Sequence, residues 1–313
     1  MEYVNLVINQ IIIFIIYALI GIIAIKKNIL SEHGLTYISN LVIKITLPIM
    51  LFYNTVSGVT KEDFFNSLSV LYLTILFYFL LILVSFILKK IFKLKKDQGN
   101  VYMASTMFGN VGFIGIPIIS TLFPEKGMLY IALFTIVDQL LLWTLGVELT
   151  TKTDSNNKFD LKRLLKMINP STVAIVLAVI VVMLDIQLPT TLATALSRIG
   201  NVTSPLAMIY LGGVFCFIDA FYYFKRIEFY GSVIIKMLIM PLIFFFAITN
   251  LTSIDTNIIT TLTILMAMPT MSSIAMLAKS QDCYGDYSLG CVLVTTIACI
   301  ITIPLVCFLI TLI

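Results

Sequence analysis

Apolar residues along this chain gather into long runs separated by short polar breaks, and within a run hardly a charge interrupts. A helix needs about 20 mostly apolar residues to cross a bilayer. On that measure the pattern predicts ten spans, at 5–25, 38–57, 67–90, 98–122, 128–149, 169–187, 194–217, 229–250, 257–279 and 286–311. The longest polar piece, Thr150–Lys166, falls between spans five and six. It divides the chain into a first five-span unit over 1–149, a linker over 150–168 and a second unit over 169–313. The fold class expected is an all-α integral membrane protein.

Composition agrees with the pattern. The 313 residues are 60% hydrophobic and 12% charged, with mean hydropathy +1.06, whereas a soluble domain carries about 25% charged residues. The net charge of +4 does not point to nucleic acid, because its surplus lies in short loops. Lys26, Lys27, Lys89, Lys90, Lys93, Lys95, Lys96, Lys152, Lys158, Lys162, Arg163, Lys166, Lys225, Arg226 and Lys279 all fall in alternate loops, while the other loops hold only Lys61 and Lys126. Basic loops stay in the cytoplasm, so both termini are expected outside it and the central linker inside. The early residues carry Glu2 and no Lys or Arg before Lys26, unlike a signal peptide with its basic start, so the first run reads as a retained span.

Five crossings per half reverse the second half relative to the first, so any repeat is inverted. A trace of one exists. Thr46-Leu-Pro-Ile-Met-Leu51 in span two matches Thr203-Ser-Pro-Leu-Ala-Met208 in span seven. Pro117 breaks span four 69 residues after Pro48, and Pro269 breaks span nine 64 residues after Pro205.

Span four contains Met107–Pro117, Met-Phe-Gly-Asn-Val-Gly-Phe-Ile-Gly-Ile-Pro. Gly109, Gly112, Gly115, Asn110 and Pro117 are costly inside a regular helix. In hydrocarbon such a break is tolerated only where it is buried in protein or lines a cavity, and paired broken helices point to a transporter's binding site. Asn110 offers a donor and an acceptor, the glycines expose backbone beside Val111, and a half-helix N-terminus favours an anion. The competing reading is tight helix packing at the glycines, with Asn110 bonded across helices. Span nine supplies the partner break, Ala267-Met-Pro-Thr-Met-Ser-Ser273. There Thr270, Ser272 and Ser273, with Met271 between them, either repair carbonyls freed by Pro269 or bind substrate or ion.

Asp138, beside Gln139, lies deep in span five. A carboxylate at that depth costs roughly 2.5–3.5 kcal/mol on insertion scales, so it is expected to face the interior, either coupling or gating transport or paired with Lys44 or Lys236. Lys44 either snorkels to the cytoplasmic interface or joins that coupling group. His33, the lone histidine, is expected in a loop. Cys283, Cys291, Cys299 and Cys307 recur every eight residues, a spacing that gathers no ligand face, so they and Cys216 read as packing residues, with no metal and no cofactor beyond a coupling proton or sodium. Enzyme classes find no support: a single midplane acid cannot serve an aspartyl protease, and neither a His-Glu-x-x-His helix nor a Gly-x-Ser-x-Gly elbow is present. An anion channel or a ligand-sensing receptor remains the alternative to a carrier.

The run Asn110-Val-Gly-Phe-Ile-Gly-Ile-Pro117 resembles the fourth-helix signature of the auxin efflux carrier family, whose bacterial members include carboxylate permeases. Asn169-Pro170, Pro189, Pro205, Leu211-Gly-Gly213, Ala267-Met-Pro269 and Pro304 agree with it. The resemblance implies ten helices in two inverted five-helix repeats, similar to bile acid symporters and crossed-helix antiporters, with helices four and nine crossing at Pro117 and Pro269. It also implies an organic anion as substrate, with Asn110 near its carboxylate, elevator-like alternating access, a homodimer and a multi-pass place in the cell membrane. Asp138 matches no site of that family.

Overall fold

The computed structural model describes residues 2–57, 59–153 and 170–312. Most of the predicted linker, and Asn169, lie outside the described residues. The described chain is helical, with no strands among the described residues beyond one isolated bridge between Gly109 and Thr270. Among the described residues, six helices are long and apolar enough to cross a membrane. They are α1 (Glu2–Lys26), α2 (Glu32–Val56), α3 (Lys61–Ile91), α6 (Gly127–Leu149), α11 (Ile227–Leu251) and α14 (Gly285–Ile310).

The others are shorter. Span four is split into α4 (Lys96–Met107) and α5 (Val111–Leu122). The predicted sixth run holds α7 (Pro170–Met183). The seventh holds α8 (Thr190–Asn201) and α9 (Thr203–Phe215), and α10 (Ala220–Phe224) is a short connector. Span nine is split into α12 (Thr256–Met266) and α13 (Ser272–Ser280).

One boundary corrects the sequence reading. Helix α2 begins at Glu32, because the Ser31 hydroxyl accepts a hydrogen bond from Gly34 N at 3.1 Å and caps an extra turn and a half. His33 therefore sits, exposed, in the first turn of a helix and not in a loop.

Prolines shape the helices as much as the glycines do. A proline within a helix has no N–H and its ring crowds the carbonyl four residues back. Here the preceding residue reaches one residue further back. Leu47 donates to the Val42 carbonyl before Pro48, Ile116 to Val111 before Pro117, and Met240 to Ile235 before Pro241. Each bond closes a widened π turn, over Val42–Thr46, Val111–Gly115 and Ser232–Ile239. A fourth π turn, Leu142–Gly146, forms without a proline. Such turns push side chains out of the regular register, often at functional sites.

The helices pack in two groups. In one, α1 lies against α9 while α2 lies against α7 and α8. The first contact is backbone on backbone: a Cβ at Gly212 would stand 2.0 Å from the Ala18 carbonyl oxygen, and one at Gly21 would stand 2.1 Å from that of Ile209. Small residues at such crossings let helices associate in lipid. The other group is α3, α4, α5, α6 and α11–α14, with α5 also touching α1 and α9 of the first. A buried polar seam ties it together. Tyr102 donates to the Glu228 carbonyl at 2.7 Å, Ser232 donates to Tyr102 at 3.0 Å, and Thr106 and Ser232 share a bond at 2.8 Å. Ser105 and Ser288 share another at 2.9 Å.

A cavity at two meeting helix breaks

The two interrupted helices meet at their breaks. Asn110 N donates to the Pro269 carbonyl at 2.7 Å, and Met271 N donates to the Phe108 carbonyl at 2.9 Å. These paired bonds form the antiparallel bridge between Gly109 and Thr270, so part of the backbone freed at one break is satisfied by the other, as an apolar interior requires. The close approach depends on Gly109, where a Cβ would stand 3.1 Å from that of Met268. Gly115 has a packing role, since its Cβ would stand 3.1 Å from Leu265 of α12. Pro269 belongs to this meeting point, its carbonyl accepting from Asn110 N, whereas Pro117 lies beyond it, in the first turn of regular helix after the π turn, so the crossing falls at Gly109–Asn110 and not at Pro117.

Beside the bridge lies a cavity of about 410 Å³. Its wall brings together Asn110, Val111, Gly112, Met271, Ser272, Ser273, Asp138 and Gln139 from the sequence reading. Four of its other residues come from the π turns: Ile43, Phe113, Leu142 and Trp143. Leu47, Leu51 and Met276 add apolar surface. Lys44 does not join them; it is exposed and absent from this wall. Gly115, Thr270, Pro117 and Pro269 hold the backbone around the cavity without lining it.

Asn110 is 3% exposed. Its Oδ1 caps α5 by accepting from Phe113 N at 3.3 Å, while its Nδ2 has no partner. Two more polar atoms of the wall are buried and unpartnered, Trp143 Nε1 and Ser272 Oγ. Buried polar groups are paired in all but a few instances, and these three stand together on one wall. No side chain caps the N-terminus of α13, whose first residue is Ser272. Thr270, in contrast, is fully engaged: its hydroxyl donates to the Ser105 carbonyl at 2.8 Å and its N–H to Thr295 at 3.1 Å.

Asp138 is buried, and neither lysine offered as its partner by the sequence pairs with it. Tyr78 donates to its Oδ1 and Gln139 Nε2 to its Oδ2 at 3.0 Å. Lys236, also buried, instead donates to the Met268 carbonyl, just beyond the C-terminus of α12. A cation there offsets the negative end of a helix dipole. Sequence reasoning missed Tyr78 and Trp143. Tyr78 was visible as the polar side chain at the middle of an apolar run, and Trp143 as the lone tryptophan, five residues after Asp138.

A second cavity, about 840 Å³, shares Ile43, Ser272, Met276 and Ser280 with the first. It reaches Glu32, Asp219, Lys279 and Asp286.

A cavity at the meeting of two broken helices inside a bundle of apolar helices has the form of a membrane carrier's site. Comparison with known proteins agrees. The model of the membrane transport protein family matches residues 6–307, and the chain belongs to this family, which is of the auxin efflux carrier type. An uncharacterized transporter of the archaeon Methanocaldococcus jannaschii is 27% identical over 214 residues, covering 65% of this chain and 67% of that protein. The protein is a multi-pass membrane transporter of a family of transporters, not of enzymes.

Proposed function

We propose that the protein is a secondary carrier moving a small organic acid anion, auxin-like or dicarboxylate-like, across the cell membrane by alternating access. The single observation that supports this best is the unpartnered Asn110 amide on a cavity at the crossing of two half-helix N-termini. Peptide dipoles and neutral donors there receive the carboxylate. In this reading the chain crosses ten times as two inverted five-helix repeats, 1–149 and 169–313, joined by a cytoplasmic linker, with both termini outside. The α1, α2, α7, α8 and α9 group is the scaffold, and the group holding both broken helices moves against it as an elevator within a homodimer. Asp138 and Gln139 couple or gate the movement, with a proton or sodium as coupling ion.

The test is thermal stabilisation of the purified full-length protein by malate and by indole-3-acetate, with and without sodium, since a ligand of the folded state raises Tm by mass action. Counterflow of the stabilising acid in proteoliposomes is expected. Asn110→Ala is expected to fold and to lose the stabilisation. Unchanged affinity in that variant removes Asn110 from the site, and single-channel currents would replace the carrier with a channel.

A further inference from the structure

The smaller cavity offers its cargo one set of donors and an apolar remainder. Among the described residues its wall carries one ionisable side chain, Asp138, and no cationic one. Both Asp138 oxygens already accept hydrogen bonds, from Tyr78 and from Gln139. The Thr135 and Ser280 hydroxyls are spent on carbonyls of their own helices, Ile131 and Leu277, and Ser171 and Ser273 are only half-buried. Three buried donors remain without partners, Asn110 Nδ2, Trp143 Nε1 and Ser272 Oγ, beside the uncapped N-terminus of α13. A carboxylate has about four acceptor positions, so this set suits one carboxylate and is used up by it. Leu47, Leu51, Phe113, Leu142 and Met276 make the wall beyond it apolar.

We propose that the cavity selects a monocarboxylate with an apolar body and rejects dicarboxylates; this rests on the carrier reading above and narrows its cargo. The carboxylate binds the Asn110 amide, the Ser272 hydroxyl and the N-terminus of α13, where the helix dipole favours an anion. The body packs on the apolar wall. A second carboxylate would meet no cation, and no second bare helix N-terminus, because Asn110 itself caps α5. The one ionisable group present, Asp138, is an acid. A charge taken out of water without a partner is costly, and two like charges in a low-dielectric site repel strongly. The larger cavity argues the same way. Among the described residues, Glu32, Asp219 and Asp286 stand there against Lys279 alone, and repulsion along that approach grows with each charge the anion carries.

The experiment uses three probes that share one straight carbon chain: hexanoate, adipate, which carries a carboxylate at each end, and 1-hexanol, which carries none. Binding to the full-length protein at neutral pH is read by Tm shift and by calorimetry, with malate and indole-3-acetate run alongside. Hexanoate is expected to bind at least about tenfold tighter than either of the other two, because a site discriminates strongly against a cargo that leaves buried polar groups unpaired. Met276→Lys adds a cation to the wall at a residue 37% exposed. It is expected to bring adipate within about threefold of hexanoate, by giving the second carboxylate a charge-assisted bond. The wild-type comparison stands even if that variant fails to fold. A smaller gap to adipate in the wild type, or an unchanged gap in folded Met276→Lys, overturns the monocarboxylate and leaves the anion carrier intact. If hexanoate and adipate are both silent, binding of malate does the same, and binding of indole-3-acetate alone upholds the proposal. Binding of 1-hexanol as tight as that of hexanoate, or silence from all five, overturns both.

Discussion

The two helix breaks are built alike yet end up with different partners. Each ends a helix, passes a short extended segment and starts another, and each lends the other a backbone bond. At the first break the capping side chain is half spent: Asn110 Oδ1 holds Phe113 N and its amide remains unpartnered. At the second, Thr270 is spent completely, on the Ser105 carbonyl and Thr295, and the nearby carbonyl of Met268 is met by a buried lysine. The lesson is that what the two breaks share makes the crossing, and what differs between them leaves one side open to the cavity. One break is an open hand toward the cavity, and the other is mostly a joint, open only at Ser272.

That contrast breaks most sharply at Asn110. Asn110→Ala is expected to weaken binding of the stabilising acid about a hundredfold, near 2.7 kcal/mol, while the lost cap costs only about 1 kcal/mol of stability. Calorimetry and Tm on the same sample separate the two. Lys236→Met should do the reverse. It leaves a buried carbonyl unpaired at the end of α12, at about 1–3 kcal/mol, so Tm falls while affinity holds. If Lys236→Met destroys binding and spares Tm, the division of labour drawn here is wrong.

Ser272 and Thr270, two residues apart, sharpen the comparison further. Ser272→Ala removes a hydroxyl that bonds nothing in the protein, so stability should hold while affinity falls about tenfold, near 1.4 kcal/mol. Thr270→Val should cost about 1 kcal/mol of stability and leave affinity unchanged, since its hydroxyl is turned to Ser105 and away from the cavity wall.

Much of this was legible in the residues. Gly109, Asn110 and Pro117 announced the first break, and Pro269 the second, because an apolar interior charges heavily for each of them in a regular helix. The family signature around Asn110 added to what those costs already implied. What the sequence hid was the pairing of charges. Asp138 found a tyrosine and an amide, and Lys236 a carbonyl, because distances between helices are set by packing and not by spacing along the chain. Pro241 carried a readable signal for the π turn that includes Lys236, by the same missing N–H as Pro48 and Pro117. The division of Thr270 from Ser272 had no signal, since adjacent hydroxyls at a break look alike until the backbone direction is known.

The weakest expected effect belongs to the outer end of the second broken helix. At the end of α6 the Lys152 ammonium meets Asp282, after α13, at 2.6 Å, and that contact holds the Asp282 carboxyl below the usual carboxylate range. A lowered folded-state value means that any stability the pair adds is present at neutral pH and fades as pH falls through the acid range. Asp282 is almost fully exposed, so water and salt screen the pair. Asp282→Asn is therefore expected to leave Tm at pH 7 unchanged, and to leave its salt dependence unchanged as well. A clear loss would mean that α13 is held from its outer end by charge. The bonds at the bridge would then not suffice to fix Ser272 on the cavity wall, and the joint would have to be sought at the membrane surface and not at the crossing.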